Sequence, residues 1–186
     1  MFGWEKKFRR RKLFDSRYIP LEKRKTRMMI FIILWGIIFT CLIKNFVFSL
    51  DMIKGDSMYP GFQKNGYYLV NRFIYNFAEP KRKDVVIIRG ISPKEDQMIK
   101  RIIGIPGDSI ELKDGDVYLS GELLNEPYVE GRTYPNTKRF TVMKDMYFVM
   151  GDNRESSYDS RSFGLIRKNN IKGRLSPGKV FTLMRK

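Results

Sequence analysis

Residues 109–119, SIELKDGDVYL, contain the strongest local structural signal in the chain. Apolar and polar side chains alternate in 110–113 and again in 116–119, which is the pattern of strands with one buried face. Asp114 and Gly115 lie between the two runs, and both residue types tolerate the positive φ that a two-residue hairpin turn requires. This stretch therefore predicts an antiparallel β-hairpin.

Similar short runs occupy much of the chain on both sides of this hairpin. They are rich in β-branched and aromatic residues and are separated by glycine and proline, as strands and turns are. The runs are 67–73, 84–89, 97–103, 109–112, 116–119, 139–142 and 146–150. We therefore expect residues 51–186 to form one mainly β domain, built compactly from antiparallel sheet.

The N-terminal part differs, because residues 28–43 (MMIFIILWGIIFTCLI) carry no charge. If Lys44 extends toward the interface, the stretch 28–50 is long enough to cross a bilayer. A buried core helix is one alternative, but no polar stripe repeats at helical spacing. A cleaved signal peptide is another, but no small-x-small cleavage site follows. We predict one uncleaved N-terminal transmembrane helix over 28–50.

Charge gives the predicted anchor an orientation. Residues 1–27 contain eleven Lys or Arg side chains and three acidic ones, a net charge of +8. Because basic flanks stay on the cytoplasmic side, we expect 1–27 to be a cytoplasmic tail and 51–186 to be exported. Half of the chain's net charge of +16 lies in this tail. A nucleic-acid-binding function is therefore not expected, although aromatic residues in the tail could stack on bases.

The composition excludes several catalytic mechanisms. The chain has no histidine and one cysteine, Cys41. A Ser-His-Asp triad, a Cys-His pair and a metal site built on histidine or several thiolates are excluded, and no metal or other cofactor is expected. A general base must then be Lys, Asp, Glu or Tyr.

Lys100 and Ser57 are the candidates for such chemistry. A neutral lysine can activate a serine hydroxyl if burial lowers its pKa from about 10.4 toward about 7–8. In a strand, Lys100 shares a face with Met98 and Ile102, but a solvated lysine at a sheet edge fits the same pattern. Ser57 lies in the turn-rich stretch 55–61, GDSMYPG. A turn serine that bonds the local backbone is the alternative there.

Three segments together resemble the bacterial type I signal peptidases, membrane-anchored serine endopeptidases with a Ser/Lys dyad. Residues 55–60 (GDSMYP) are similar to the nucleophile motif, 100–108 (KRIIGIPGD) to the general-base motif, and 151–164 (GDNRESSYDSRSFG) to a third motif. Residues 83–87 resemble the strand between the first two. The resemblance covers about 51–183. It implies a signal-peptidase-type β domain that removes signal peptides after small-x-small sites.

The resemblance also implies catalytic roles. Ser57 is the expected nucleophile and Lys100 the expected general base, while Ser157 is expected to hydrogen-bond the lysine amine. Some family members carry a serine two positions before the nucleophile as an oxyanion-hole donor. Gly55 stands there in this chain, so the backbone N–H of Ser57 is the donor that remains.

Supporting roles follow from the same resemblance. Asp159 and Arg161 are expected to form a salt bridge that braces the loop holding the site, and Asp152 belongs to the same network. The alternative for this loop is a solvated turn of mixed charge. Shallow apolar pockets for substrate residues −1 and −3 are expected to be lined by Ile53, Met58 and Ile99.

The implied partners are preprotein signal peptides and membrane lipid, with the secretion machinery as a further candidate and no nucleic acid. The implied location is the cytoplasmic membrane of a bacterium, crossed once, with the catalytic domain on the outer face. One alternative is a membrane-anchored β domain that binds without catalysis, including an inactive family member. Another is a self-cleaving repressor, which shares Ser/Lys chemistry but needs a DNA-binding helical domain.

Overall fold

A computed structural model of the chain describes residues 21–93, 96–135 and 137–176. It divides into two units, Met1–Cys41 and Leu42–Lys186. Of the predicted tail 1–27, residues 1–20 lie outside the described part, and so do the aromatic residues considered for base stacking.

One long helix, α1, spans Leu21–Val47. Its large apolar side chains from Met28 to Leu42 are 47–67% exposed, so α1 is not a core helix of this chain. The segment Glu22–Leu42 is long and apolar enough to cross a membrane by length and composition. Residues 48–50, the end of the predicted span, lie in a strand rather than in α1.

The rest of the described chain is mainly β, as predicted. The strands are β1 (Phe48–Met52), β2 (Tyr67–Asn71), β3 (Val85–Arg89), β4 (Gln97–Gly104), β5 (Ser109–Lys113), β6 (Asp116–Leu119), β7 (Glu122–Leu123), β8 (Lys138–Thr141), β9 (Met146–Met150), β10 (Ile166–Arg167) and β11 (Ile171–Leu175). A one-turn helix, α2, spans Ser160–Phe163. Two 3-10 turns lie at Ile74–Asn76 and Lys168–Asn170.

These strands form two antiparallel sheets. The larger has seven strands in the order β1-β2-β11-β3-β4-β9-β10, and the smaller has four in the order β7-β6-β5-β8. The predicted hairpin is confirmed, since β5 pairs with β6 and its turn residues Asp114 and Gly115 have φ values of 54° and 90°. All seven predicted runs coincide with strands, within two residues at each end.

Strand β4 is held between two apolar clusters, because alternate residues of a strand point to opposite faces. One cluster contains Ile53, Met58, Val85 and Ile87, with Ile99 packed against it. The other contains Val86, Ile88, Met98 and Ile102. Met98, Lys100 and Ile102 on one face of β4 are buried, and Gln97, Ile99 and Arg101 on the other are half-buried. Packing on both sides makes β4 a rigid base for the side chains that project from it.

Gly104 ends β4 at the point where the smaller sheet packs against it. A Cβ at this position would crowd the side chains of Ile110, Val142 and Phe148. We expect Gly104→Ala to lower the free energy of unfolding by about 1–3 kcal/mol, because the added methyl must displace close-packed neighbours. Thermal unfolding of the detergent-solubilised protein, followed by circular dichroism, measures the loss.

Gly55→Ala is the matched control, since a Cβ at Gly55 meets no atom within 4 Å. Equal melting temperatures for the two variants would contradict the crowding inferred at Gly104.

Candidate active site

Ser57 and Lys100, which are 43 residues apart in sequence, meet in the structure. The Lys100 Nζ donates a hydrogen bond to the Ser57 Oγ over 2.8 Å. Lys100 is only 3% exposed. The solvated edge lysine is therefore excluded, and the Ser57 hydroxyl bonds the lysine instead of its own turn.

Strand β4 places the lysine. Lys100 pairs with Val86 of β3, and its same-face neighbours Met98 and Ile102 are buried in the apolar cluster. A low-dielectric setting of this kind disfavours the charged ammonium relative to the neutral amine. The Lys100 side chain thus has the surroundings that a lysine base requires.

The turn that carries Ser57 is fixed on both sides. Ile53 and Met58 are buried in one apolar cluster. The Ile53 N–H donates to the Gly66 carbonyl over 3.0 Å, and the Ser57 carbonyl accepts from the Asn153 N–H over 3.1 Å. The nucleophile is therefore tied to the core and to the loop that follows β9.

The loop is not a solvated turn of mixed charge, because its charged residues Asp152, Arg154, Asp159 and Arg161 are buried. The expected salt bridge is present: the Arg161 Nε and Nη2 each lie 2.8 Å from a different carboxylate oxygen of Asp159. Asp159 also accepts the Gly151 N–H over 3.0 Å. Burial acts to raise the pKa of Asp159, but the Arg161 guanidinium and these hydrogen bonds outweigh it and hold the pKa below its ordinary value.

Asp152 pairs with the residue next to the dyad lysine. The Arg101 Nε and Nη2 contact its two carboxylate oxygens over 2.8 and 2.6 Å. The guanidinium of Arg101 also lies 3.9 Å from the centre of the Tyr128 ring. Burial raises the pKa of Asp152 despite this pairing. Neighbouring residues of β4 thus serve different partners, Lys100 the nucleophile and Arg101 the loop.

Ser157 does not make the bond expected of it. Its Oγ is buried without a hydrogen-bond partner, so the predicted hydrogen bond to the Lys100 amine is absent. The Ser157 side chain packs against Gly151, where a Cβ would overlap it. The lysine amine instead bonds the nucleophile directly.

An open cavity of about 670 Å³ adjoins the dyad. It is lined by residues 52–57 on one side and 96–100 on the other, with Arg89, Ser156 and Tyr158. Ile53 and Ile99 line it as predicted. Met58 does not: it is 0% exposed and packs into the core, because successive side chains of the turn diverge and that of Ser57 takes the cavity side.

The cavity runs beside an open strand edge. Residues 97–101 of β4 pair with β3, whereas β9 pairs only with Arg101, Ile102 and Gly104. Within the described chain, the second edge of β4 at residues 97–100 thus has no strand partner. Such an edge can accept an extended peptide through main-chain hydrogen bonds.

The position of an oxyanion hole is defined by the Ser57 backbone. Among the described residues, no acceptor lies within hydrogen-bonding distance of the Ser57 N–H. The space beside Gly55 is open, so a side-chain donor two positions before the nucleophile is neither present nor sterically excluded.

A third ion pair, between Arg154 and Glu126, was not predicted. The Arg154 Nη2 lies 2.6 Å from Glu126, and its Nη1 donates to Thr133 over 2.6 Å. Its Nε donates to the Gly151 carbonyl over 3.2 Å. Glu126 lies 28 residues before Arg154 in a loop, so no local pattern in the sequence connects them.

Comparisons with known proteins show which family the chain resembles. A family model described as "Signal peptidase, peptidase S26" matches residues 24–177. Signal peptidase I V of Bacillus subtilis (strain 168) is 36% identical over 155 residues, which cover 76% of this chain and 91% of that protein. Signal peptidase I P of Bacillus subtilis subsp. natto is 36% identical over 166 residues, covering 82% and 89%.

A crystal structure of a signal peptidase I from Enterococcus faecalis V583 also matches. It has 33% sequence identity and a TM-score of 0.45, and the match covers 53% of this chain and 98% of that one.

The buried Asp159–Arg161 pair generates a stability prediction. We expect Asp159→Asn to cost about 3–5 kcal/mol of unfolding free energy at neutral pH, because it leaves Arg161 buried and unpaired. Since the pKa of Asp159 is lowered by folding, its contribution is complete above the ordinary carboxyl pKa. The difference from wild type should shrink only below about pH 4, as the carboxylate is protonated. Denaturant titrations between neutral and acid pH measure this.

Asp56→Asn is the matched control, because the Asp56–Lys64 salt bridge has side chains 56% and 52% exposed. It should cost less than about 1 kcal/mol. A loss in Asp159→Asn no larger than this control would contradict a structural role for the buried pair.

Proposed function

This chain belongs to the signal peptidase family, peptidase S26, whose members are serine peptidases that remove signal peptides, and we propose that Ser57 and Lys100 carry out its cleavage reaction. The observation that carries this assignment is the 2.8 Å hydrogen bond between the buried Lys100 amine and the Ser57 hydroxyl. This contact places the base within reach of the proton that the nucleophile must lose.

The chemistry runs in two halves. The neutral Lys100 amine takes the Ser57 Oγ proton while the oxygen attacks the scissile carbonyl, and the resulting ammonium gives that proton to the departing amine. The acyl group, which carries the signal peptide, is then bound to Ser57 as an ester. The Lys100 amine next takes a proton from a water molecule, which attacks the ester. The lysine then returns the proton to the Ser57 oxygen as the signal peptide leaves.

The oxyanion of each tetrahedral intermediate is stabilised by the Ser57 N–H. This group has no acceptor among the described residues, so it is available when negative charge develops on the substrate oxygen. Gly55 supplies no side-chain donor, and the open space beside it leaves room for a water.

The substrate binds as an extended strand along the open edge of β4. Its residues at −1 and −3 point to the same side, because strand side chains alternate. That side faces Ile53 and Ile99, which line the cavity. We assign the small residues at −1 and −3 of the cleavage site to this apolar side.

The loop after β9 acts as a positioning element. Asp152, Asp159 and Arg161 fix it through their ion pairs, and Asn153 in the same loop holds the Ser57 carbonyl. Ser157 keeps a buried hydroxyl against Gly151 at the site.

The family is membrane associated, and one N-terminal helix is long enough to span a membrane. We extend the proposal to a cytoplasmic tail at 1–27, an anchor at 28–50 and an exported catalytic domain at 51–186, in a bacterial cytoplasmic membrane. The concentration of basic residues before the anchor supports this orientation. Membrane lipid and the secretion machinery are the partners that such a location brings.

The dyad assignment is tested by cleavage of a preprotein with an Ala-x-Ala site by the detergent-solubilised chain. We expect Ser57→Ala and Lys100→Met each to reduce cleavage at least about a thousandfold, since the nucleophile and its base act as one unit. Product mapping should place the cut after the second alanine.

Ser109→Ala and Lys113→Met are the matched controls, because both residues are exposed at the ends of β5. They should retain wild-type activity. Equal cleavage by all variants would reject the dyad, and no cleavage by a folded wild type would favour the non-catalytic binding domain.

The same mechanism generates a pH prediction. Because only the neutral amine accepts the serine proton, we expect kcat/KM to rise with pH through an ionisation below about pH 9. Initial rates across the pH range measure this, with circular dichroism at each pH as the folding control. A rate that rises only near pH 10, where an ordinary lysine ionises, would contradict the buried base.

A further inference from the structure

Arg89 is a half-buried cation at the end of the cavity away from Ser57. Its Nε and Nη2 both donate to the side-chain oxygen of Gln97, over 3.3 and 2.9 Å. In the described part of the chain it has no carboxylate partner, whereas Arg101, Arg154 and Arg161 each have one. Arg89 therefore brings to the cavity a charge that no carboxylate of the described residues neutralises.

The register of β3 and β4 places Arg89 on the same face of the sheet as Ile99, which lines the apolar side of the cavity. Arg89 pairs with Gln97, and Ile87 pairs with Ile99. Paired residues of antiparallel strands lie on the same face, and so do residues two apart in one strand. Arg89, Gln97 and Ile99 thus share one face, with Gln97 about 6.7 Å beyond Ile99.

A substrate strand would reach Arg89 with its residue at −5. Substrate residues −1 and −3 are proposed to face Ile99, which precedes Lys100 in β4. The substrate residues before the cut therefore extend along β4 from Lys100 toward Gln97. Positions −1, −3 and −5 face the same side of an extended peptide. With −1 and −3 in the apolar pocket, −5 lies beside Gln97 and Arg89.

Among the described residues that line the cavity, the charge is positive in balance. Arg89 and Lys54 line it, against the exposed carboxylate of Asp96. The other lining carboxylate, Asp56, is paired with Lys64 over 3.2 Å. Among the described lining residues named here, the cations Arg89 and Lys54 thus exceed the unpaired carboxylate of Asp96 by one.

We propose that Arg89, with Gln97, forms a subsite for substrate residue −5 that favours acidic or neutral hydrogen-bond-accepting side chains and disfavours lysine and arginine. This subsite rests on the proposed function and adds to it a preference outside the −1 and −3 positions. Gln97 accepts hydrogen bonds from the Nε and Nη2 of Arg89. These bonds orient the guanidinium, whose other N–H groups are left for the substrate.

The test compares preproteins with one Ala-x-Ala site that differ only in Glu, Gln or Lys at −5. The full-length chain in detergent should cleave the Glu substrate with a kcat/KM about fivefold above that of the Lys substrate, and added salt should reduce the ratio. Arg89→Gln should bring the ratio close to one. Arg89→Glu should invert it, an outcome that impaired folding cannot produce.

Arg139→Gln is the matched control, because Arg139 forms an exposed salt bridge with Glu111 in the smaller sheet and does not line the cavity. It should leave the ratio unchanged. An unchanged ratio in Arg89→Glu, with the Gln substrate still cleaved, would overturn the subsite and leave the proposed function standing. No cleavage of any substrate by the folded wild type would overturn both.

Discussion

The Lys100 amine must be kept out of water while the groove beside it stays open, and most of the β domain serves these two needs. Apolar clusters pack against both faces of β4, and the buried face between Met98 and Ile102 keeps the lysine out of water. The groove stays open because β9 joins β4 only from Arg101 onward. Dry surroundings for the base and access for a peptide thus come from the same strand, whose open edge is four residues long and ends at Lys100.

The polar loop after β9 buries four charged side chains, and ion pairs offset the free-energy cost of taking them out of water. Asp152, Arg154, Asp159 and Arg161 are all buried, and an unpaired buried charge is expensive. Each of them has a partner of opposite charge, and two of these partners, Arg101 and Glu126, come from distant parts of the chain. The loop can therefore adopt one arrangement at low cost, and this arrangement fixes Asn153 against the Ser57 carbonyl.

Local patterns in the sequence predicted those features that local forces decide. Alternation and the Asp114-Gly115 turn predicted the hairpin, whereas the alternation around Lys100 left both a buried base and a solvated edge lysine open. Strand β1 was missed because its residues continue the apolar run of the anchor, and β7 and β10 have only two residues each. Strand β11 was also missed, because Lys172, Gly173 and Arg174 separate its two apolar residues. Met58 was misplaced because side-chain directions in a turn follow no period. The pairs Arg101–Asp152 and Glu126–Arg154 depend on tertiary contact alone.

The open edge of β4 has a consequence for the behaviour of the protein in a crowded membrane. An unpaired strand edge is a template on which other chains can aggregate. Here the edge is four residues long and faces residues 52–57 across the cavity, so there is room for a single strand and none for a growing sheet. The two sides of the cavity, which admit one extended peptide, thereby also limit aggregation through this strand edge.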